Sequence, residues 1–230
     1  MLYYLQNAKY QRRSKMKNLL LIGDSIRMGY DSYVQEKLQG RVNVYFPEEN
    51  CRFAQYTLRA LSNWKSELAL PEIHTVHWNN GLWDVLHLNS GPSGGDGEAE
   101  GETFTPGNVS QELHFDKDPL TPPDMYRYMI GRVLTRIRQL FPGAEVVFAT
   151  STPVIEEQAN WAYRSNAEIA QYNDIAREVL ISRGVRINDL GAFAAEKCHE
   201  LHRDWVHYNE EGSSLLADEI IGFLEKENLL

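Results

Sequence analysis

Five short apolar runs are spaced along the chain, and each ends at or near a glycine, a proline or an asparagine pair. The runs are Asn18–Ile22, Val42–Phe46, Ile73–Trp78, Glu145–Thr150 and Val185–Leu190. Apolar runs of this length that stop at turn residues are typical of strands buried on both faces. The pattern therefore predicts five strands of a parallel sheet.

Between and after these runs lie segments in which apolar residues mostly recur every three or four positions, the period of an amphipathic helix. The segments are Asp31–Leu38, Thr57–Leu68, Asp124–Phe141, Asn166–Ser182 and Glu211–Glu227. Strands and helices that alternate in this way form βαβ units with helices on both faces of one sheet. We therefore predict an α/β fold, a three-layer α/β/α sandwich around a five-stranded parallel sheet in the flavodoxin-like order 2-1-3-4-5.

Two segments fall outside this alternation. Residues 1–17 place a few apolar residues before a basic stretch, which is the reverse of a secretory signal. We interpret them as a leader outside the core and expect a cytoplasmic protein. Residues 89–123 are rich in glycine and acids and are long for a loop, so we predict a surface excursion. It is either a lid or an inert insertion, and its composition favours the insertion. Residues 18–230 are predicted to form a single domain.

Composition excludes several classes of function. The chain has 230 residues, with 23 Lys and Arg against 32 Asp and Glu, so its formal net charge is −9. This balance argues against binding to a nucleic-acid backbone, and no apolar run is long enough for a membrane helix. Only Cys51 and Cys198 are present, and the cysteines and histidines fit no standard metal-site spacing. We therefore predict no metal and no cofactor.

The candidate chemistry follows the strands, because ligands of an open parallel sheet bind outside the carboxyl ends of its strands. After the first strand comes Gly23-Asp24-Ser25, which places Ser25 near the N-terminus of a helix. Free backbone N–H groups there favour the oxyanion that a serine nucleophile creates. Taken alone, however, Ser25 is better explained as a helix N-cap.

Two further motifs follow the third and fifth strands. Asn79 and Asn80 come directly after the third strand, where a side-chain amide could donate across the cleft. Asp204-Trp205-Val206-His207 follows the fifth strand and a short helix. At this spacing the Asp204 carboxylate can reach His207 Nδ1, which leaves Nε2 free to accept a proton from a serine. Each motif has a plain structural explanation, but a nucleophile, an amide and a base at one sheet edge indicate an active site.

At these residues the chain resembles the SGNH (GDSL-type) hydrolases. Gly23-Asp24-Ser25 is similar to the first block of that family, and Asp204 with His207 matches the D-x-x-H of its last block. The resemblance runs from about Asn18 to Leu224 and implies the five-stranded fold of the family. It further implies Ser25 as nucleophile, His207 as general base and acid, and Asp204 as the residue that orients His207.

The resemblance also implies an oxyanion hole made by the Ser25 N–H, a backbone N–H after the second strand and an asparagine after the third. Both middle blocks depart from the family pattern, since neither has the usual glycine. We favour Asn79 over Asn80 because Asn79 comes directly off its strand. We place the backbone donor near Cys51 or Arg52, with Cys51 as the first choice, and Asn50 as a possible helper.

The prediction is a serine esterase that acts on a small acyl ester, such as an O-acetyl group on a carbohydrate, and has no nucleic-acid partner. The alternatives are a lipase- or thioesterase-type hydrolase of the same family, and a non-catalytic carbohydrate-binding module on this fold. We interpret Arg27, Arg52 and Arg164 chiefly as members of surface ion pairs. The oligomeric state is left open. The candidate substrate contacts are Asp24, Asn50, Arg52, Trp78, Trp83 and Trp205.

Overall fold

A computed structural model describes residues 16–88, 115–159 and 162–230. The strands in these ranges are β1 Lys17–Ile22, β2 Val42–Tyr45, β3 Thr75–Trp78, β4 His87–Leu88, β5 Glu145–Ala149, β6 Ala162–Tyr163 and β7 Arg186–Asn188. Five of them form one parallel sheet in the order β2-β1-β3-β5-β7. Counted along the chain, this order is 2-1-3-4-5, so the predicted topology is confirmed.

The helices of the described residues form two layers. They are α1 Ser25–Lys37, α2 Ala54–Glu67, α3 Pro123–Leu140, α4 Asn166–Ile181, α5 Leu190–Lys197 and α6 Glu210–Lys226, with short 3-10 turns at Glu156–Gln158 and His199–Leu201. On one side α6 packs against α1 and α5, and on the other α3 packs against α2 and α4. Because both faces are covered, the last five residues of β1 are all buried. This explains why the strands are continuous apolar runs.

The first helix differs from its prediction. The apolar pattern placed its start at Asp31, but α1 begins at Ser25. Its first turn was missed because Arg27 interrupts the apolar period, although this side chain is only 1% exposed. The correction brings Ser25 into the helix and moves the cap to Asp24.

The small antiparallel pair of β4 and β6 lies apart from the main sheet. The described end of the predicted excursion, residues 115–123, runs beside the chain before and within β4. Asp116 N donates to Leu88 O, and Thr121 N donates to Asp84 O, both at 2.9 Å. The rest of the predicted excursion, residues 89–114, and most of the predicted leader, residues 1–15, lie outside the described residues. The predicted domain boundaries therefore stay predictions.

No helix within the described ranges combines the length and the apolar content needed to cross a bilayer.

Candidate active site

The nucleophile candidate sits at the start of α1, and Asp24 determines where that helix starts. Asp24 has an extended backbone, and its Oδ1 accepts a hydrogen bond from the N–H of Ile26 at 3.0 Å. This is the role of an N-cap residue. Ser25 is thus the first residue of the helix, where its own N–H has no partner in the preceding turn. Since Asp24 is the cap, the Ser25 hydroxyl is available for another task.

Three side chains from distant parts of the chain form a continuous hydrogen-bonded series. Ser25 Oγ lies 2.7 Å from His207 Nε2, although 182 positions separate the two residues. His207 Nδ1 lies 2.9 Å from Asp204 Oδ2 and 3.0 Å from Oδ1. A serine, an imidazole and a carboxylate in this arrangement can transfer a proton from the hydroxyl to Nε2 while the carboxylate holds the tautomer.

Asp204 also shapes the turn that carries the imidazole. Its Oδ1 accepts hydrogen bonds from Val206 N at 2.9 Å and from His207 N at 2.8 Å. Partial burial acts to raise the pKa of Asp204, but the hydrogen bonds from His207 and Val206 outweigh it and hold that pKa well below its usual range. Asp204 is therefore an anion wherever the protein is folded at ordinary pH.

The two asparagines after β3 have different surroundings. Both amide hydrogens of Asn80 are used inside the protein, because Nδ2 donates to Arg52 O at 2.9 Å and to Thr57 Oγ1 at 3.0 Å. Asn80 is also fully buried, so the structure contradicts it as the alternative oxyanion donor. Asn79 Nδ2 donates to Ala149 O at 2.8 Å, while its other contact, Ser151 Oγ, is 3.4 Å away. A contact this long leaves one hydrogen weakly held, which favours Asn79.

In the loop after β2, Cys51 does not offer the predicted donor. The N–H of Cys51 donates to Gly23 O at 3.1 Å and the residue is fully buried. The prediction of Cys51 as oxyanion donor is therefore wrong. The next residue, Arg52, is exposed and has φ = 49°, a left-handed conformation that favours glycine. Its N–H donates to Asn50 Oδ1 at 2.8 Å.

The six candidate substrate contacts divide into two groups. Asp24, Trp78 and Trp205 are at most 6% exposed, so the structure contradicts them as contacts with substrate. Asp24 caps α1, and the Trp78 indole donates to Asn80 Oδ1 at 2.7 Å. The Trp205 ring is covered by the guanidinium of Arg164. The residues that keep accessible surface are Asn50, Arg52 and Trp83.

Two of the three arginines assigned to surface ion pairs are buried. Arg27 binds Asp31 at 2.5 Å, and it also donates to the carbonyl oxygens of Pro47 and Glu49. Arg164 is 3% exposed, and its Nε donates to Leu82 O. The expectation of a surface position fails for both because each side chain also donates to backbone carbonyls far away in sequence, which draw it into the interior. The i,i+4 spacing of Arg27 and Asp31 was the one feature of the local sequence that indicated a partner for Arg27.

Sequence reasoning also missed Asp84, which contacts the chain where the loop after β2 enters α2. Its carboxylate accepts the N–H of Ala54, the first residue of α2, at 3.1 and 3.2 Å. The residue before Ala54 offers no side-chain cap, so Asp84 caps α2 from across the fold. Burial raises the pKa of Asp84 to about 7, although the hydrogen bonds from Ala54 and Thr121 act to lower it.

Within the described ranges no three His, Cys, Asp or Glu side chains are grouped as metal ligands. One of the histidines, His77, is buried in β3, with its Nε2 3.2 Å from Asn188 Oδ1. Burial lowers the pKa of His77 to about 4. It is therefore a neutral core residue at ordinary pH.

Comparisons with known proteins identify the family of the chain. Residues 21–215 match the profile of the GDSL-like Lipase/Acylhydrolase family. No curated protein sequence matches the chain.

Solved structures share the fold at low sequence identity. A lipase/acylhydrolase from Enterococcus faecalis is 16% identical, with a TM-score of 0.64 over 92% of this chain and 97% of that one. The acetyl xylan esterase AlAXEase is 18% identical, with a TM-score of 0.62 over 90% and 99%. The psychrotrophic esterase EstA from Pseudoalteromonas sp. is 12% identical, with a TM-score of 0.60 over 91% and 97%. The profile match spans most of the chain, including Ser25, Asp204 and His207, and it follows that the chain belongs to the GDSL-like lipase/acylhydrolase family and is a hydrolase of ester bonds.

Proposed function

We propose that the chain is a serine esterase that cleaves small acyl esters through an acyl-enzyme on Ser25. The observation that carries the proposal is the 2.7 Å contact between Ser25 Oγ and His207 Nε2, with Asp204 on the other side of the imidazole. A serine in a helix cap alone would need neither partner. Membership of an acylhydrolase family supports the same assignment.

The proposed reaction has two halves. Ser25 Oγ attacks the acyl carbon as its proton passes to His207 Nε2, and the tetrahedral intermediate collapses when His207 gives that proton to the leaving alcohol. Water then attacks the acyl-enzyme, with His207 as base, and releases the acid and the free serine. Asp204 stays ionised throughout and stabilises the imidazolium.

The oxyanion of both intermediates is assigned to three donors, the Ser25 N–H, Asn79 Nδ2 and the Arg52 N–H. Arg52 is included because, among the described residues, its N–H is held by the half-exposed Asn50 carboxamide, which substrate can displace. Each donor of this kind contributes on the order of 10²–10³ in rate. In this assignment the Asn50 carboxamide releases the Arg52 N–H when the oxyanion forms.

A small acyl group is favoured by those candidate substrate contacts that keep accessible surface. Of the three tryptophans expected to contact substrate, only Trp83 keeps accessible surface, and the other two accessible candidates, Arg52 and Asn50, are polar. Such walls suit a short acyl chain on a hydroxyl-rich alcohol better than a long hydrocarbon. One structural neighbour is an acetyl xylan esterase, which is consistent with O-acetyl carbohydrate as substrate. Another is described as a lipase/acylhydrolase, so the lipase-type alternative needs a direct test.

The test is hydrolysis of p-nitrophenyl esters from acetate to palmitate, and of acetylated xylan, by the wild-type chain and Ser25→Ala. We expect kcat/KM to be highest for acetate and to be lost in the variant. Ser66→Ala, an exposed serine in the last turn of α2, is the matched control and retains full activity. A maximum at long chains favours the lipase-type alternative. An organophosphonate that fails to label Ser25 contradicts the serine mechanism itself.

A further inference from the structure

Arg164 is a buried cation directly after β6, between two loops of the candidate site. Only 3% of its surface is exposed. Its Nε donates to Leu82 O in the loop that follows β3. Its guanidinium carbon lies 5.2 Å from the centroid of the Trp205 ring, within the range of a cation–π contact. Arg164 therefore touches two of the loops that carry candidate site residues.

Arg164 also acts on the loop that carries the nucleophile. Asp24 is 1% exposed, and its Oδ2 has no hydrogen-bond partner among the described residues. Burial raises the pKa of Asp24, and the charge of Arg164 is the largest opposing effect after the hydrogen bond from Ile26. A buried carboxylate needs such a compensating charge. The cation thus helps to keep the cap of α1 in place beside Ser25.

The contact with Trp205 matters because Trp205 belongs to the loop that carries His207, the proposed general base. It lies between Asp204 and His207 in the chain and is 6% exposed. Its carbonyl oxygen accepts a hydrogen bond from Ile155 N at 2.8 Å. A shift of the buried Trp205 ring would therefore be passed along the chain to the turn of Asp204 and His207.

We propose that Arg164 is a positioning residue that sets His207 at hydrogen-bonding distance from Ser25, an inference that rests on the proposed function. It has no access to substrate, because its guanidinium is covered by Trp205 and by the loop after β3. Its planar group suits the task, since a guanidinium can contact an aromatic ring and still donate from Nε to a carbonyl such as Leu82 O. A displacement of about 1 Å between reacting groups can cost about 10²-fold in rate.

The experiment compares Arg164→Met and Arg164→Lys with Arg183→Met, a matched substitution of an exposed arginine that bonds to Gly131 in α3. For each we measure kcat and KM on p-nitrophenyl acetate, the rate of Ser25 labelling by an organophosphonate, and Tm. We expect Arg164→Met to lower kcat and the labelling rate by about 10- to 100-fold, with KM changed by less than about threefold. Arg164→Lys restores the charge alone and recovers part of the loss, while Arg183→Met stays at the wild-type values.

A second pair of variants separates positioning from stability. Leu134→Ala opens a cavity in the buried face of α3 and is expected to lower Tm without lowering kcat. If Arg164→Met folds poorly, Asp24→Asn in the same chain removes the uncompensated carboxylate. That double variant should then regain Tm while its kcat stays below that of Asp24→Asn alone, because the contact with Trp205 is still missing.

The inference is overturned if Arg164→Met keeps the wild-type kcat and labelling rate. It is also overturned if Leu134→Ala, at an equal loss of Tm, loses kcat to the same extent. These outcomes differ from failure of the proposed function, in which the wild-type chain neither turns over the ester nor reacts with the organophosphonate.

Discussion

Asp24 and Ser25 divide between them two tasks that either side chain could perform alone. Both residue types are good N-caps, and the sequence cannot tell which of two adjacent caps is used. In the structure the carboxylate takes the N–H of Ile26, and the hydroxyl turns to His207. The sequence motif is thus sufficient to locate the nucleophile, while the division of roles depends on contacts with the last loop of the chain.

Asp204→Asn tests whether the carboxylate orients the imidazole. The asparagine Oδ1 can still accept the N–H groups of Val206 and His207, so we expect the turn and the fold to persist. The amide cannot hold the same imidazole tautomer, and kcat should fall by about 10³- to 10⁴-fold. Steady-state kinetics and circular dichroism check both expectations. Asp174→Asn, on an exposed carboxylate, is the control, and an active Asp204→Asn enzyme contradicts the proposed role.

Asp84 should make stability depend on pH near neutrality. Its pKa is raised from 3.8 to about 7 by burial, so between these values the folded chain binds more protons than the unfolded chain. The contribution of Asp84 to the free energy of unfolding therefore falls as pH rises from about 4 to 7. Asp84→Asn should remove that decline while still accepting the N–H of Ala54.

Urea unfolding of the wild type and Asp84→Asn at pH 5 and pH 8 measures this difference. Between pH 5 and pH 8, we expect the free energy of unfolding of the wild type to fall by a few kcal/mol relative to that of the variant. Asp118→Asn, an exposed carboxylate in the same region, should follow the wild type at both pH values. Parallel curves for wild type and Asp84→Asn would show that Asp84 does not titrate in this window.

At the scale of elements, the loop after β3, residues 79–86, connects most of the candidate site. Asn79 binds the end of β5, Asn80 binds the loop after β2, and Asp84 caps α2. The carbonyl oxygen of Leu82 accepts the bond from Arg164. A single loop therefore determines the spacing between the neighbouring strand ends.

Gly81→Ala should disturb this loop. Gly81 has φ = 153°, and a Cβ added there would stand 2.3 Å from Ser151 Oγ. We expect a loss of about 1–3 kcal/mol in stability and a lower kcat, since the displaced Ser151 also contacts Asn79. Gly222→Ala in α6, where a Cβ has open space, should instead gain about 0.5–1 kcal/mol. Thermal unfolding and ester hydrolysis of the two variants distinguish local strain from a general effect of alanine.

The elements were predictable to the extent that they depend on local burial. The strands of the sheet follow from apolar runs because both faces are covered, and D-x-x-H locates the base because Asp204 and His207 are close in the chain. The start of α1, the cap that Asp84 supplies to α2 and the burial of Arg164 were not predictable. Each depends on partners that only the folded chain brings together, such as Ala54 for Asp84 and Leu82 for Arg164.

At the scale of the whole molecule, the two ends of the described fold meet at the sheet. Thr75 Oγ1 in β3 donates to Leu229 O at 2.9 Å, and Lys17 Nζ in β1 contacts Asn228 O at 3.3 Å. Leu229 is 6% exposed. The last residues of the chain are thus part of the core, whereas the sheet itself begins only at Lys17.

Truncation should therefore lower stability at the C-terminal end and leave it unchanged at the N-terminal end. Removing residues 229–230 should cost about 1.5–3 kcal/mol, the value of one buried leucine, and lower Tm. A chain that begins at Met16 should keep the Tm and the kcat of the full chain, as expected of a leader outside the core. Differential scanning calorimetry of both truncations tests this. A large loss of Tm on removing residues 1–15 contradicts the predicted domain boundary.

The two buried cysteines can report local opening of the fold without any mutation. Cys51 lies in the loop after β2, and Cys198 follows α5; both are free and fully buried. Burial raises the pKa of Cys51 to about 11 and that of Cys198 above its usual value, so neither forms a reactive thiolate inside the fold. A thiol reagent therefore reacts only when the surrounding structure opens. The modification rate of Cys51 then measures how often the edge of the candidate site opens, and Cys198 supplies the rate for a second part of the same molecule.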